Sequence, residues 1–279
     1  MRHADVLPAH LFRQYLRDVS RALTVVHIMT PQQGLFTCSP TDDAISVLRE
    51  MADRNYDIAP VETDGRIHAF VRRQKLESAH SIEEVLCPIG INQLATHTMS
   101  LEHLIKLFAA KAGRFYFVME GNRIIGLVTP ADLNKGPVRT FLYTLLAQLE
   151  SVWTELVRRT FPAEDWIQLL SKDRQKEMRE TLEKAKVGNV EVGLIEHLYL
   201  SDLLTIVEKT DSLRKQFGFS SRNRVKSALG PLNEWRNRVM HPVRSLIGDQ
   251  QDVQELSKVC DLVSTLIARA QGGANERCQ

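Results

Sequence analysis

Residues 233–242 read NEWRNRVMHP and set Arg236, Asn237 and His241 within a few positions of one another. A histidine with an ordinary pKa of about 6.5 moves protons at neutral pH. A guanidinium offers a two-pronged fork to a developing oxyanion. Around an ideal helix Arg236 and His241 stand about 140° apart and share no face. Asn237 and His241, at i and i+4, do share one. Pro242 biases His241 away from helical backbone angles, so the helix is expected to stop there. An imidazole at that end is released from the regular spiral and can swing toward Arg236. The helix terminus favours its cationic form. Asn237 is placed to hydrogen-bond one ring nitrogen and fix the tautomer.

The flanks are basic. Between residues 214 and 244 the chain carries Arg214, Lys215, Arg222, Arg224, Lys226, Arg236, Arg238 and Arg244 against Glu234 as the one acid. A face meeting only solvent usually mixes signs for i,i+4 pairing, so this excess suits a polyanion. A solvated surface is the competing reading. Trp235 reads as a core residue rather than a base-stacking one. His27, His68, His97, His103 and His197 lack a partner at a catalytic spacing and read as ordinary surface or core histidines. Asp202 and Glu196, on an earlier helix, are candidate supporting acids, with Asp202 equally readable as a cap.

A second set of candidates comes from an internal repeat. Residues 43–76 lie on residues 100–133 without a gap, at an offset of 57. Helix falls on helix, strand on strand and turn on turn. Such a unit buries its sheet poorly alone, so two copies are expected to pack face to face and leave clefts between them. The second copy ends Gly126-Leu127-Val128-Thr129-Pro130-Ala131-Asp132. Thr129 at a strand end and Asp132 at a helix start can both turn toward one ligand. A carboxylate there suits two ribose hydroxyls, because its oxygens accept both protons. Helix N-terminal amides and a nearby cation suit a phosphate, with Arg114 as the candidate cation.

These elements must be held in place by the rest of the chain. At 279 residues it is long enough for about two domains. Up to residue 135, β-rich runs such as IAPVET (58–63), RIHAFV (66–71), RFYFVM (114–119) and RIIGLVT (123–129) alternate with amphipathic helices. Asp64-Gly65 and Gly121-Asn122 mark turns. After Lys135-Gly136-Pro137 the β signals stop. Five helical stretches follow, with breaks at Phe161-Pro162, Gly188-Asn189, Phe217-Gly218 and Gly248-Asp249. The expected organisation is an N-terminal helix over 1–24, an α/β module over 25–135 and an all-α bundle over 136–279. GGANERCQ reads as a frayed tail.

Composition excludes several classes. The net charge of +2, 43% hydrophobic and 25% charged residues are ordinary for a globular chain. Cys38, Cys87, Cys260 and Cys278 are scattered, which argues against a zinc site or a disulfide framework and suits a reducing compartment. The N-terminus is too charged for a signal peptide, and no apolar run reaches bilayer-spanning length. The expectation is a soluble, cytoplasmic protein with no membrane contact and no metal site.

Two resemblances sharpen these readings. The Gly126–Asp132 run looks like the G-φ-φ-[ST]-x-x-D signature of CBS domains, and His27-Ile28-Met29-Thr30-Pro31 and Ser39-Pro40 resemble the opening of the first domain in a CBS pair. The resemblance implies a Bateman module whose clefts bind an adenine nucleotide (AMP, ADP or ATP), with Thr30 and the backbone of Asp57-Ile58-Ala59 added to Thr129, Asp132 and Arg114. At the same offset Arg72 and Lys75 replace Thr129 and Asp132. A lysine accepts no hydrogen bond from ribose, so one good site is expected rather than two. Arg72 and Lys75 are left to touch phosphate or to face solvent. A dimerising scaffold that binds nothing is the competing reading for the module.

Arg236-Asn237-x-x-x-His241 in turn resembles the R-x-x-x-x-H motif of HEPN domains, the resemblance covering about residues 137–270. It implies a homodimeric, metal-independent ribonuclease in which the 2′-hydroxyl of RNA is the nucleophile and a 2′,3′-cyclic phosphate the product. Arg236, His241 and Asn237 become the expected catalytic residues, and Arg222, Arg224, Lys226, Arg238 and Arg244 the RNA contacts. No cofactor is required for that chemistry, and the nucleotide is a regulatory ligand. A non-catalytic RNA-binding or protein-interaction module is the alternative.

Overall fold

In a computed structural model, which describes residues 9–110, 114–188 and 192–275, the chain forms two compact units. One comprises Leu23–Val138 and Ile247–Gln254. The other comprises the described parts of residues 1–22 and 255–279 together with Arg139–Leu246. Helix α1 (Ala9–Ala22) therefore groups with the helical unit. Lys111, Asn189 and residues 276–279 of the GGANERCQ tail, Cys278 included, lie outside the described residues, while the GGAN part is helical.

The α/β unit is built twice. Its first copy runs β1 (Thr30–Pro31), α2 (Ala44–Asp53), β2 (Ile58–Thr63), β3 (Arg66–Arg72) and the short α3 (Arg73–Leu76). The second runs β4 (Cys87–Pro88), β5 (Leu94–Thr96), α4 (Leu101–Ala109), β6 (Tyr116–Glu120), β7 (Arg123–Val128) and a 3-10 turn over Pro130–Asn134. Each repeat helix starts on a cap: Asp43 accepts from the Ser46 amide at 2.9 Å and Ser100 from the His103 amide at 3.2 Å. The hairpins turn as the sequence requires. Asp64 and Gly65 both take positive φ (51° and 72°), and Gly121 does so at 58°.

The two copies exchange edges. β1 pairs with β7 in the sheet β1-β7-β6-β5, and β4 pairs with β3 in the sheet β2-β3-β4. Thr30-Pro31 and Cys87-Pro88 are themselves 57 apart, as are the register shifts after Val61 and Val118. The repeat thus extends further toward the N-terminus than its residues reveal. Each β1-type strand completes the other copy's sheet, which is why neither copy buries its sheet alone. The copies meet through Ile67, Phe70, Cys87, Phe115 and Phe117. Asn134 ties Ile247 into this unit by accepting from its amide and donating to its carbonyl, both at 3.0 Å.

The helical unit contains α5 (Gly136–Thr160) from Arg139 on, α6 (Lys172–Val187), α7 (Leu200–Lys209), α8 (Asp211–Gln216), α9 (Arg222–Met240) and α10 (Gln250–Asn275) from Glu255 on. Two expected helices are subdivided. DWIQLLSK is a 3-10 turn over Asp165–Leu169, after which Ser171 caps α6 by accepting from the Arg174 amide. The run from 198 to 217 breaks at Thr210 (φ −100°, ψ 114°), and Arg214 Nη1 takes up the freed Glu208 carbonyl at 2.6 Å. Helix α9 continues through Pro231, burying Val225, Leu229, Leu232, Trp235 and Val239 along one stripe. Trp235, 3% exposed, is a core residue. Among the described residues no helix is long and apolar enough to cross a membrane, and no cluster of three or more potential metal ligands occurs.

Candidate functional site

Helix α9 ends where Pro242 dictates. His241 is its C-cap at φ −107° and ψ 91°, and the His241 amide still donates to the Asn237 carbonyl at 3.1 Å. That turn is gripped from α5. Arg139 donates to the carbonyls of Arg238 (2.7 Å), Val239 (3.4 Å), His241 (3.4 Å) and Arg244. A cation on the last carbonyls of a helix satisfies orphan acceptors and meets the negative end of the dipole. No spacing rule pointed to Arg139, because it acts from a helix about a hundred residues earlier in the chain.

The polar contact of the Asn237 side chain differs from expectation. Its Oδ1 lies 3.5 Å from Arg236 Nη1, while its link to His241 is the backbone bond alone. The His241 ring is exposed and makes no hydrogen bond among the described residues. One side-chain amide serves Arg236 because the two are adjacent at the rim of one groove. That groove, of about 520 Å³, is lined by Tyr199, Leu200, Ser201, Asn233, Arg236 and Asn237. His241 is not part of its lining.

Two acids accompany Arg236 or its groove. Glu150 of α5 is held above its ordinary carboxylate range by burial, which the positive charge of Arg236 partly opposes. Glu150 carries no motif, and only the packing of α5 reveals it. Asp202 is a cap: it accepts from the Tyr199 amide at 2.9 Å and pairs with Arg174 at 2.9 Å, both side chains largely buried. The Arg174 guanidinium also covers the Tyr199 ring at 4.2 Å. Glu196 pairs with Arg158 at 3.2 Å and accepts from the Gly193 amide.

The basic residues do not form one stripe. Arg222 and Arg224 are exposed at the start of α9, about 18 Å of helix from Arg236. Lys226 meets Glu208 at 3.5 Å, and Arg214 and Lys215 both pair with Asp211 at 2.8 Å. Arg238 stacks over Trp235 at 4.9 Å, and Arg244 is exposed beyond the helix end. Acids from the neighbouring helices α7 and α8 therefore offset part of the local excess seen along the chain.

In the α/β unit Thr129 and Asp132 are bonded to each other. Asp132 Oδ2 accepts from the Thr129 amide at 2.7 Å and the Thr129 hydroxyl at 3.1 Å. Its Oδ1 lies 2.7 Å from Lys135 Nζ, which also donates to the Ile28 carbonyl at 2.6 Å. Gly126 of the same run has a steric cause. A Cβ there would stand 2.5 Å from the Thr30 carbonyl oxygen and 2.8 Å from the Met29 sulfur, so β1 can cross only a glycine.

Arg114 is highly exposed and approaches Asp57 at 3.8 Å, with Arg73 on the other Asp57 oxygen at 3.6 Å. Register sets Tyr116 opposite Val128, so Arg114 precedes its strand at the end where Thr129 follows the neighbouring one. Ile58 pairs with Arg72, and Ala59 is fully buried. Arg72 is exposed, and its guanidinium lies over the rings of Phe70 (5.2 Å) and Phe115 (5.9 Å). Lys75 is exposed. The Cys38 thiol is pushed up to about 12, first by burial and then by Asp42, which leaves it unreactive at neutral pH.

Residues 94–137 match the family model of the CBS domain, and they contain the second repeat copy with Thr129 and Asp132. Similar solved structures include CBSX2 in complex with AMP, with 20% identity and a TM-score of 0.34, covering 39% of this chain and 92% of that one. The CBS domain of a bacterial CNNM/CorC family Mg2+ transporter in complex with ATP has 16% identity and a TM-score of 0.36, covering 48% and 98%. The CBS-pair protein CBSX2 from Arabidopsis thaliana has 20% identity and a TM-score of 0.35, covering 43% and 94%. No curated protein matches the sequence.

Proposed function

We propose that this chain is an adenine-nucleotide-sensing, metal-independent endoribonuclease. Its α/β unit acts as a CBS pair with one nucleotide site, and its helical unit as a HEPN-like catalytic domain that works as a homodimer. The observation that carries the catalytic half is the end of α9. There a proline-stopped helix leaves His241 exposed at its end, past Arg236 in the chain, and Arg236 opens onto a groove.

The chemistry needs only these groups. Neutral His241 takes the proton from a 2′-hydroxyl as its oxygen attacks the adjacent phosphorus. The Arg236 fork holds the non-bridging oxygens of the phosphorane, with Asn237 orienting the guanidinium. The P–O5′ bond breaks and the 5′-oxygen leaves protonated, the proton coming from the motif of the second copy. The products are a 2′,3′-cyclic phosphate and a 5′-hydroxyl. Arg222, Arg224, Lys226, Arg238 and Arg244 are the proposed RNA contacts, and the setting is the cytoplasm.

The nucleotide half rests on the CBS match over the copy that keeps Thr129 and Asp132. Asp132 would receive the ribose and Arg114 the phosphate, with Thr30, Asp57, Ile58 and Ala59 toward the base. A nucleotide alters cleavage only through different affinities for two arrangements of the protein. Cleavage of mixed RNA in EDTA, with and without AMP, ADP and ATP, is expected to change with one of them. A rate indifferent to all three would contradict the sensing role. The position of His241 outside the groove lining favours one second reading, a nucleotide-regulated RNA-binding module without cleavage.

A further inference from the structure

The repeat brings two arginines to one concavity that the nucleotide reading does not use. Arg66 and Arg123 are 57 residues apart, and each opens the second strand of its copy's hairpin. Both line a cavity of about 190 Å³ between the two hairpin turns, with Gly65, Asn122 and His68 at the rim and Ile67, Ile89, Leu94, Met119 and Ile124 as its apolar walls. It lies at the turn end of the strands, whereas Thr129 and Arg114 lie at the opposite end.

Neither guanidinium has an ion pair or side-chain hydrogen bond among the described residues. Arg123 stands across the ladder from Glu120, whose Oε1 lies 3.7 Å from His97 Nε2. Two unneutralised cations facing one small cavity repel each other, and an anion shared between them removes that cost. Repeat-related cations suit a ligand with two equivalent anionic ends. The aliphatic walls between them suit an apolar middle.

We propose that this cavity binds a short aliphatic dicarboxylate, one carboxylate on Arg66 and the other on Arg123. Each guanidinium meets a carboxylate through paired N–H donors. The ligand would bridge the two copies of the repeat.

The test is calorimetric titration of the full chain with succinate, glutarate and adipate, with butyrate and pyrophosphate as comparators. At least one dicarboxylate is expected to bind about tenfold or more tighter than butyrate, the worth of a second charged contact. Arg66→Gln and Arg123→Gln should each weaken it by a similar factor, and the double variant should not bind. Both side chains are exposed, and unchanged thermal unfolding of the variants establishes that they fold. Butyrate binding as tightly as every dicarboxylate, persistence of binding in the double variant, or pyrophosphate binding tightest would each overturn the assignment.

Discussion

Asp132 and Lys135 form a contact of 2.7 Å that occupies the carboxylate oxygen a ribose would need. The other oxygen accepts from the Thr129 amide and hydroxyl, so both oxygens of the carboxylate proposed to receive the ribose already have partners within this run. Asp132→Ala is expected to weaken nucleotide binding by about 1.5–3 kcal/mol, the worth of charged hydrogen bonds. Lys135→Met, which frees Oδ1, is expected to tighten it. Titration of both variants checks this, and unchanged affinity in Asp132→Ala would mean that the ligand sits elsewhere.

Arg139 gathers the carbonyls at the end of α9, including that of His241. Arg139→Ala leaves those acceptors to water and should cost about 2 kcal/mol in urea unfolding. Arg139→Lys should recover only part, because an ammonium cannot fork between Arg238 and Arg244 as the guanidinium does. Full recovery with lysine would show that charge alone, not geometry, holds the turn.

Glu150 gives the fold a pH dependence with a definite sign. Burial raises its pKa above the unfolded value, and Arg236 opposes the shift. The protonated form is therefore the one the fold prefers: its contribution is full below the unfolded pKa and is lost as pH rises through the folded pKa. Glu150→Gln should raise the melting temperature at about pH 8 and leave it little changed at about pH 4. An equal shift at both pH values would contradict a buried, titrating carboxylate.

Legibility in the sequence followed the range of the interaction. The helix stop at His241, the caps at Asp43 and Ser100 and the Asp64-Gly65 turn are set by neighbours in the chain, and the residues announce them. The repeat was readable from residue 43 onward because helix and hairpin share their periods. Its β1 and β4 strands, two residues each, are too short to carry a period. Ser171 and Thr210 were hidden inside long helical patterns, where apolar spacing continues across a cap. Arg139 and Glu150 reach α9 from α5, and Arg72 finds Phe115 in the other copy, so nothing nearby in the chain reports them. Asn237 was assigned to the ring by helical spacing, but its side chain stands beside Arg236 instead.

The decisive measurement is incubation of the purified protein and its His241→Ala variant with single-stranded RNA in excess EDTA, with the RNA ends identified by mass. We expect the unaltered protein to leave 2′,3′-cyclic phosphate and 5′-hydroxyl ends, and the variant to bind the same RNA without cutting it. Equal cleavage by both proteins, or none by either with or without adenine nucleotides, would contradict the catalytic role given to His241.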